Sequence, residues 1–330
     1  NPGDQLGRLV VALTNNNFVI ASRDDDVGPI NNAGSAMLFD GDTGLQIGTT
    51  LSGDNPGDQL GRLVVALTNN NFVVASQLDD VGLITDAGSV MLLDGDTGLQ
   101  IGSTLYGDDP DDRFGNLVTP LTNDNFVISS NQDDVGSIVD AGSILLFDGD
   151  TGLQIGNMIP SDRWAEDDLK IITLRNGNFV VTSPWEDVGG IPNAGAVRLI
   201  DGTNGNPIGV TLTGDSNGPV LGYLVWPTTN GNYVVLSPNS NNGCLEDAGS
   251  VFLMNGFSGE KIGKEIPGGN SLDEFRGGVF TLKNGDFIMV TWRNLRIEGE
   301  PIEAFLRFFN GSSGVPEDTT PVSYTHLTLP

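Results

Sequence analysis

The feature that most constrains this chain is a repeat of almost constant length. Residues 1–54 recur as 55–108 with ten substitutions. The motif Asn-Phe/Tyr-Val then marks the same phase at Phe18, Phe72, Phe126, Phe179 and Tyr233, with Asp286-Phe287-Ile288 as a looser sixth copy. Neighbouring landmarks lie 54, 54, 53, 54 and 54 residues apart. So regular a period marks a repeat architecture, in which each copy is one supersecondary unit that buries its apolar face against its neighbours.

Within one copy the apolar runs are short. Leu9–Leu13, Phe18–Ser22, Gly34–Phe39 and Leu45–Leu51 read as four strands, separated by runs of Asn, Asp, Gly and Thr. The first turn becomes Asn176-Gly177, Asn230-Gly231 and Asn284-Gly285 in later copies, which predicts a type I′ hairpin pairing strands one and two. Gly44, Gly98 and Gly152 can take the left-handed position that closes the hairpin between strands three and four. A parallel β-helix needs much shorter coils, and a sandwich would not repeat so regularly. Four antiparallel strands per copy predict an all-β propeller with six blades, 1–54, 55–108, 109–159, 160–214, 215–267 and 268–314.

The sixth blade is expected to be incomplete, with Ala304–Phe309 as its third strand and no fourth. The segment from residue 315 onward matches no repeat, and its end, Pro321–Pro330, resembles the translation of a sequencing-adapter read-through; it is set apart together with the only histidine, His326. The sequence opens in mid-repeat, so the chain is expected to be part of a longer one.

Charge narrows the choice of partner. Forty-three acidic against fifteen basic residues give a net charge of −28, which repels phosphate backbones and argues against nucleic-acid binding. No apolar run approaches the roughly 20 residues of a transmembrane helix. A single cysteine, Cys244, rules out an intrachain disulfide.

Several landmarks resemble the FG-GAP repeats of integrin-alpha-type β-propellers. Asp112-Arg113-Phe114-Gly115-Asn116-Leu117-Val118 is similar to their Phe-Gly element on the innermost strand. Thr182-Ser183-Pro184 and Leu236-Ser237-Pro238 stand where that family has Gly-Ala-Pro, and Asp247–Leu253 looks like the strand that follows. The chain is closer still to bacterial repeats of the form Leu-Thr-Asn-Gly-Asn-Tyr/Phe-Val-Val found in large secreted or surface proteins. The resemblance implies an extracellular or cell-surface binding or adhesion module whose ligand is a protein or glycan. One departure matters: calcium-binding FG-GAP blades carry an Asp-rich loop between strands one and two, and here that loop has shrunk to Thr14–Asn17. Calcium binding therefore does not carry over from that family.

Two acidic motifs remain. The Asp-Gly-Asp-Thr-Gly runs at 40–44, 94–98 and 148–152 place carboxylates two apart, as in an EF-hand, but no Glu completes the cage at the twelfth position. Copies four and five keep the turn while losing charge, so the run reads as a hairpin turn. The longer loop between strands two and three carries Asp25-Asp26, Asp79-Asp80, Asp133-Asp134 and Glu186-Asp187, each before Val-Gly. Adjacent carboxylates are stable together when solvated or bridged by a hard cation, so these eight residues are the candidate Ca2+ ligands. Trp185 and Trp292, at the end of strand two, are candidate ligand-binding aromatics, with blade packing as the alternative.

For catalysis the inventory is thin. Without a credible histidine there is no Ser–His or Cys–His pair, and no Gly-rich phosphate loop opens a helix. Carboxylate pairs for a polysaccharide hydrolase or lyase are present but recur in four copies, whereas one active site needs a unique pair. The expectation is a non-enzymatic module, with such a hydrolase or a structural spacer in a longer repeat protein as the alternatives.

Overall fold

The computed structural model describes residues 7–130, 132–160, 169–214, 220–240, 249–267, 278–293, 303–316 and 322–324. These fold into six sheets, each of four strands hydrogen-bonded in sequence order and antiparallel throughout. Blade 1 is Leu9–Ala12, Phe18–Ser22, Ser35–Phe39 and Gln46–Ser52. Blade 2 is Leu63–Ala66, Phe72–Ser76, Ser89–Leu93 and Gln100–Tyr106. Blade 3 is Leu117–Pro120, Phe126–Ser130, Ser143–Phe147 and Gln154–Pro160. Blade 4 is Lys170–Thr173, Phe179–Ser183, Ala196–Ile200 and Pro207–Thr213. Blade 5 is Leu224–Pro227, Tyr233–Ser237, Ser250–Met254 and Lys261–Pro267. Blade 6 is Val279–Thr281, Phe287–Arg293, Glu303–Phe309 and Val322–Tyr324. The all-β class and the four-stranded meander expected of a propeller blade are both observed.

The last strand departs from expectation. Blade 6 was expected to lack a fourth strand, yet Val322–Tyr324, from the segment that matches no repeat, pairs with Ala304–Leu306. The edge of the third strand presents unpaired backbone groups, and any short extended segment can satisfy them. It is nonetheless three residues long where the other blades have seven, so this blade is the incomplete one.

The chain divides into two compact units: Asn1–Trp164 with Gly202–Asn206, and Ala165–Asp201 with Pro207–Pro330. Within each, the core lies between consecutive sheets. In the first unit, Leu13, Val19 and Leu38 of blade 1 pack on Leu60, Val64, Phe72 and Leu93 of blade 2. Val73, Val90 and Leu92 of blade 2 pack in turn on Phe114, Val118, Phe126 and Phe147. In the second unit the same layers join blades 4 and 5, and then 5 and 6.

This explains why the Asn-Phe/Tyr-Val landmark keeps its phase. Phe72, Phe126, Phe179, Tyr233 and Phe287 are all buried, and each such side chain contributes roughly 1.5–3 kcal/mol of transfer free energy. The second strands of blades 2, 3 and 4 are buried at every position, because both of their faces are covered; fourth strands are mostly exposed.

The first turn pairs strands one and two as expected, but by a different geometry. Gly177 N donates to Leu174 O (3.3 Å), and Leu174 N to Asn178 O (2.9 Å). Only the last loop residue is left-handed, Gly177 at φ 87° and its counterpart Asn16 at φ 74°. That is a three-residue loop, a type I turn followed by a left-handed residue, where a type I′ turn would need two positive φ values. The Asn before the glycine is spared a strained backbone and turns its side chain outward. Asn176 and Asn178 donate to Gly256 O of the next blade (2.7 and 2.9 Å), as Asn15 and Asn17 do to Gly95 O (3.0 and 2.8 Å). A hairpin loop thus doubles as a clasp between neighbours.

Candidate functional site

The Asp-Gly-Asp-Thr-Gly runs are hairpin turns. Asp40 Oδ1 accepts hydrogen bonds from Asp42 N (2.9 Å), Thr43 N (2.7 Å) and Thr43 Oγ1 (2.9 Å), and Asp94 and Asp148 repeat the pattern. The Thr43 amide and hydroxyl hold the Asp40 carboxyl below the usual carboxylate range.

The loop between strands two and three behaves differently, and its paired acids divide their work. The second acid of each pair braces the loop. Asp26 Oδ1 accepts from Asn32 N (2.9 Å), Asp80 from Asp86 N (2.9 Å), Asp134 from Asp140 N (2.8 Å) and Asp187 from Asn193 N (2.8 Å). Asp26, Asp80, Asp134 and Asp187 therefore have a structural task that accounts for their recurrence.

In blades 2 and 3 the first acid of the pair belongs to a cluster absent from the sequence reading. In the first unit, Asp79 meets Asp54 and Asp58, and Asp133 meets Asp108 and Asp112, with one carboxylate oxygen from each residue within 4.8 Å of the others. Asp54 and Asp108 follow the fourth strand of the preceding blade, and Asp58 and Asp112 lie in the linker that leads into the new one. Each trio thus joins two acids of the linker between blades, four residues apart, to the loop between strands two and three of the new blade. Burial grades from the exposed Asp54 and Asp108, through the half-buried Asp79 and Asp133, to Asp58 and Asp112, each 1% exposed.

Local structure holds the buried member in place. Asp58 Oδ2 accepts from Asp54 N (2.9 Å) and Asn55 N (2.7 Å), and Asp112 Oδ2 accepts from Asp108 N (2.9 Å) and Asp109 N (2.8 Å). The Ser76 and Ser130 hydroxyls, at the end of the second strands, donate to the carbonyls of Asp58 and Asp112. A Cβ at Gly107 would sit 2.4 Å from Ala87 O and 2.8 Å from Asp112 Oδ2, so only glycine leaves room for the acid. Burial pushes the Asp58 and Asp112 carboxyls up to about 6, against the backbone amides that favour their ionised forms. Burial likewise raises Asp79 and Asp133.

The second unit solves the same position in another way. Glu186 stands where blades 2 and 3 have Asp79 and Asp133. Its two oxygens are gripped by the Arg198 guanidinium, Oε2 by Nη1 at 2.7 Å and Oε1 by Nη2. Arg198 holds the middle of its third strand, opposite Val181; the same place is Met91, opposite Val74, in blade 2. A bidentate arginine fully matches the carboxylate it meets.

Asp25 is half-buried in blade 1, and Asp4, which shares the phase of Asp58, lies outside the described residues. Trp185 is 38% exposed beside Glu186. Trp292 lies in the second strand of blade 6 and its side chain is outside the described residues, as are Trp164, Cys244 and His326. Phe114-Gly115 falls in the linker before Leu117–Pro120 and not on that strand, with Phe114 N bonded to Ala87 O of the preceding blade (2.9 Å).

Asp58 and Asp112 are the functional candidates that the sequence reading passed over. Their signal was present, because an Asp recurs at positions 4, 58 and 112 with the full repeat spacing.

Fold and site together define an all-β repeat protein of four-stranded, propeller-type blades with acidic clusters at its blade boundaries. The chain belongs to the family described as "Repeat of unknown function (DUF5650)", which matches at residues 12–61, 66–113, 120–162, 173–213 and 227–272. No curated protein matches it by sequence. Among solved structures it is similar to the β-propeller domain of the Trilobed protease from Pyrococcus furiosus, at 9% identity and a TM-score of 0.44, covering 96% of this chain and 84% of that one. It is also similar to the acylaminoacyl peptidase of Pyrococcus horikoshii, at 10% identity and a TM-score of 0.45, covering 95% of this chain but 46% of the peptidase.

Proposed function

We propose that the chain is a non-catalytic binding or adhesion module, working at the cell surface or in the extracellular space as part of a longer protein. The observation that carries this reading is repetition. The same loop, with the same bracing bonds, stands at the same edge of blades 1, 2 and 3. Binding to a repetitive protein or glycan gains from several copies of a weak site through effective concentration, whereas chemistry needs one unique constellation. The loops also offer contact surface at their tips, where Leu83 and Val139 are exposed, and Trp185 adds an exposed aromatic in blade 4. The net charge of −28 favours ligands with cationic groups and disfavours nucleic acid. No helix among the described residues is long and apolar enough to cross a membrane.

A polysaccharide hydrolase or lyase is the rival reading, because carboxyls pushed up to about 6 suit a general acid. Against it, Asp58 and Asp112 are shut away from solvent, so no glycosidic oxygen can reach them. A glycan array run beside a polysaccharide-degradation assay tests the proposal. Retention of a glycan without product release is the expected outcome. Release of shortened saccharides would replace the binding module with the enzyme, and silence in both assays would leave a structural spacer.

A further inference from the structure

Three carboxylates within 4.8 Å of one another, one buried, one half-buried and one exposed, repel, and burial of two of them amplifies the repulsion. Something must offset it. Among the described residues, neither trio has an ion pair with a Lys or Arg side chain. Backbone amides satisfy Oδ2 of Asp58 and Asp112 only. Asp112 Oδ1 is fully shielded from solvent and has no hydrogen-bond donor at all. In blade 2 the matching Asp58 Oδ1 has only a long contact from Asp80 N, at 3.4 Å. An orphaned, wholly buried carboxylate oxygen at the floor of an acidic cluster is an acceptor that lacks its electrophile.

Blade 4 shows what the position requires. Where Glu186 replaces the aspartate, Arg198 supplies a cation from the adjoining strand, and the carboxylate is fully matched. Blades 2 and 3 place Met91 and Leu145 there, which supply none. The cation must then come from outside the chain. Three oxygens within 4.8 Å of one another leave a centre no more than about 2.8 Å from each, and a small closure of the loop brings all three into the ~2.3–2.6 Å range of calcium–oxygen bonds. Magnesium, at about 2.0–2.1 Å and with a strict octahedral demand, suits so open a set less well.

We propose that Asp54–Asp58–Asp79 and Asp108–Asp112–Asp133 each bind one calcium ion, which ties the linker leaving one blade to the next blade's loop. One ion shared by three carboxylates at each boundary would make the array of loops rigid, and the Arg198 guanidinium stands in for the ion in blade 4. The inference stands on these two clusters and holds whether or not the module binds a glycan.

The test is calorimetric titration of the full chain with CaCl2, beside thermal melts in CaCl2 and in EDTA. Heat of binding and a Tm several degrees higher in calcium are expected. Asp58→Asn with Asp112→Asn should remove two equivalents of bound calcium and most of the Tm difference. Asp42→Asn with Asp96→Asn, at exposed turn positions, should keep both. Because the Asn variants replace buried ionised groups, a second design guards against loss of folding. Asp79→Glu with Met91→Arg installs blade 4's ion pair in blade 2 and should remove one equivalent while the chain still folds in EDTA. Identical melts in calcium and EDTA with no heat, or unchanged stoichiometry in the Asp58/Asp112 variant, would overturn the proposal.

Discussion

Blades 3 and 4 place an acid at the same point of the repeat and neutralise it in opposite ways. Asp133 joins a trio that has no ion pair with a Lys or Arg among the described residues, while Glu186 is clamped by Arg198 from its own sheet. One extra methylene in the acid and an Arg in place of Leu145 convert a site that needs a guest into one that is self-contained. The lesson concerns what the fold demands of this position: a positive charge under the loop, from whatever source.

The largest effect should come from removing the built-in cation. Arg198→Met leaves Glu186, whose side chain is 6% exposed, without its partner. Breaking a buried pair in this way costs about 3 kcal/mol or more. Urea denaturation should show that loss equally in calcium and in EDTA, and Glu186→Gln on the same background should recover much of it. A loss that calcium alone restores would mean that blade 4 also takes an ion, and the contrast between the two blades would disappear.

How much of this was legible in the sequence follows from where each contact is made. Strand existence and order could be read because the apolar runs and turns are local and repeated, and Phe126 or Phe179 marks the core wherever it recurs. The Asp40–Gly44 hairpin was legible by comparing copies, since copies four and five keep the turn without the charge. The hairpin at Asn176-Gly177 was mistyped, because Asn-Gly suits both a type I′ turn and a type I turn closed by a left-handed glycine. Its side-chain clasp to Gly256 O decides between them, and that partner is 80 residues away. Asp58 and Asp112 were missed for the same reason. They meet Asp79 and Asp133 only once one sheet's loop has folded over the linker, so composition within a single loop does not reveal the trio. Periodicity also overstated the Asp-Asp pairs: their second members recur because they brace the loop's backbone, as Asp80 does at Asp86 N.

A pH series sharpens the comparison at intermediate scale. Asp58 and Asp112 titrate at about 6 in the folded chain and near the ordinary 3.8 when unfolded. The folded state therefore holds protons that the unfolded state has released, and stability is full below about 3.8 and falls as pH rises through 6. In EDTA, Tm should drop between pH 4.5 and 7 by an amount that Asp58→Asn with Asp112→Asn largely abolishes. Calcium should flatten or invert the same profile, because the ion favours the ionised trio. A profile that keeps its slope in the double variant would place the titration elsewhere.

The smallest effect belongs to the acids that need no cation. Asp94 Oδ1 accepts from Asp96 N (3.0 Å), Thr97 N (2.8 Å) and Thr97 Oγ1 (2.9 Å), in a turn whose charge faces water. Burial alone would raise its carboxyl, but the Thr97 hydroxyl and amide and the Asp96 amide outweigh it and leave the group below its ordinary value. The sign is thus opposite to that of Asp58: stability from Asp94 is present at neutral pH and fades as pH falls through its folded pKa. Asp94→Ala should cost about 1 kcal/mol at pH 7, the net worth of a satisfied turn acceptor. The loss should be the same in calcium and EDTA and shrink in acid. A calcium-dependent loss would move the ion to the hairpin and undo the division between turn acids and boundary acids. That division rests on hydrogen-bond supply: the turn gives Asp94 three donors, and the blade boundary leaves Asp112 Oδ1 with none.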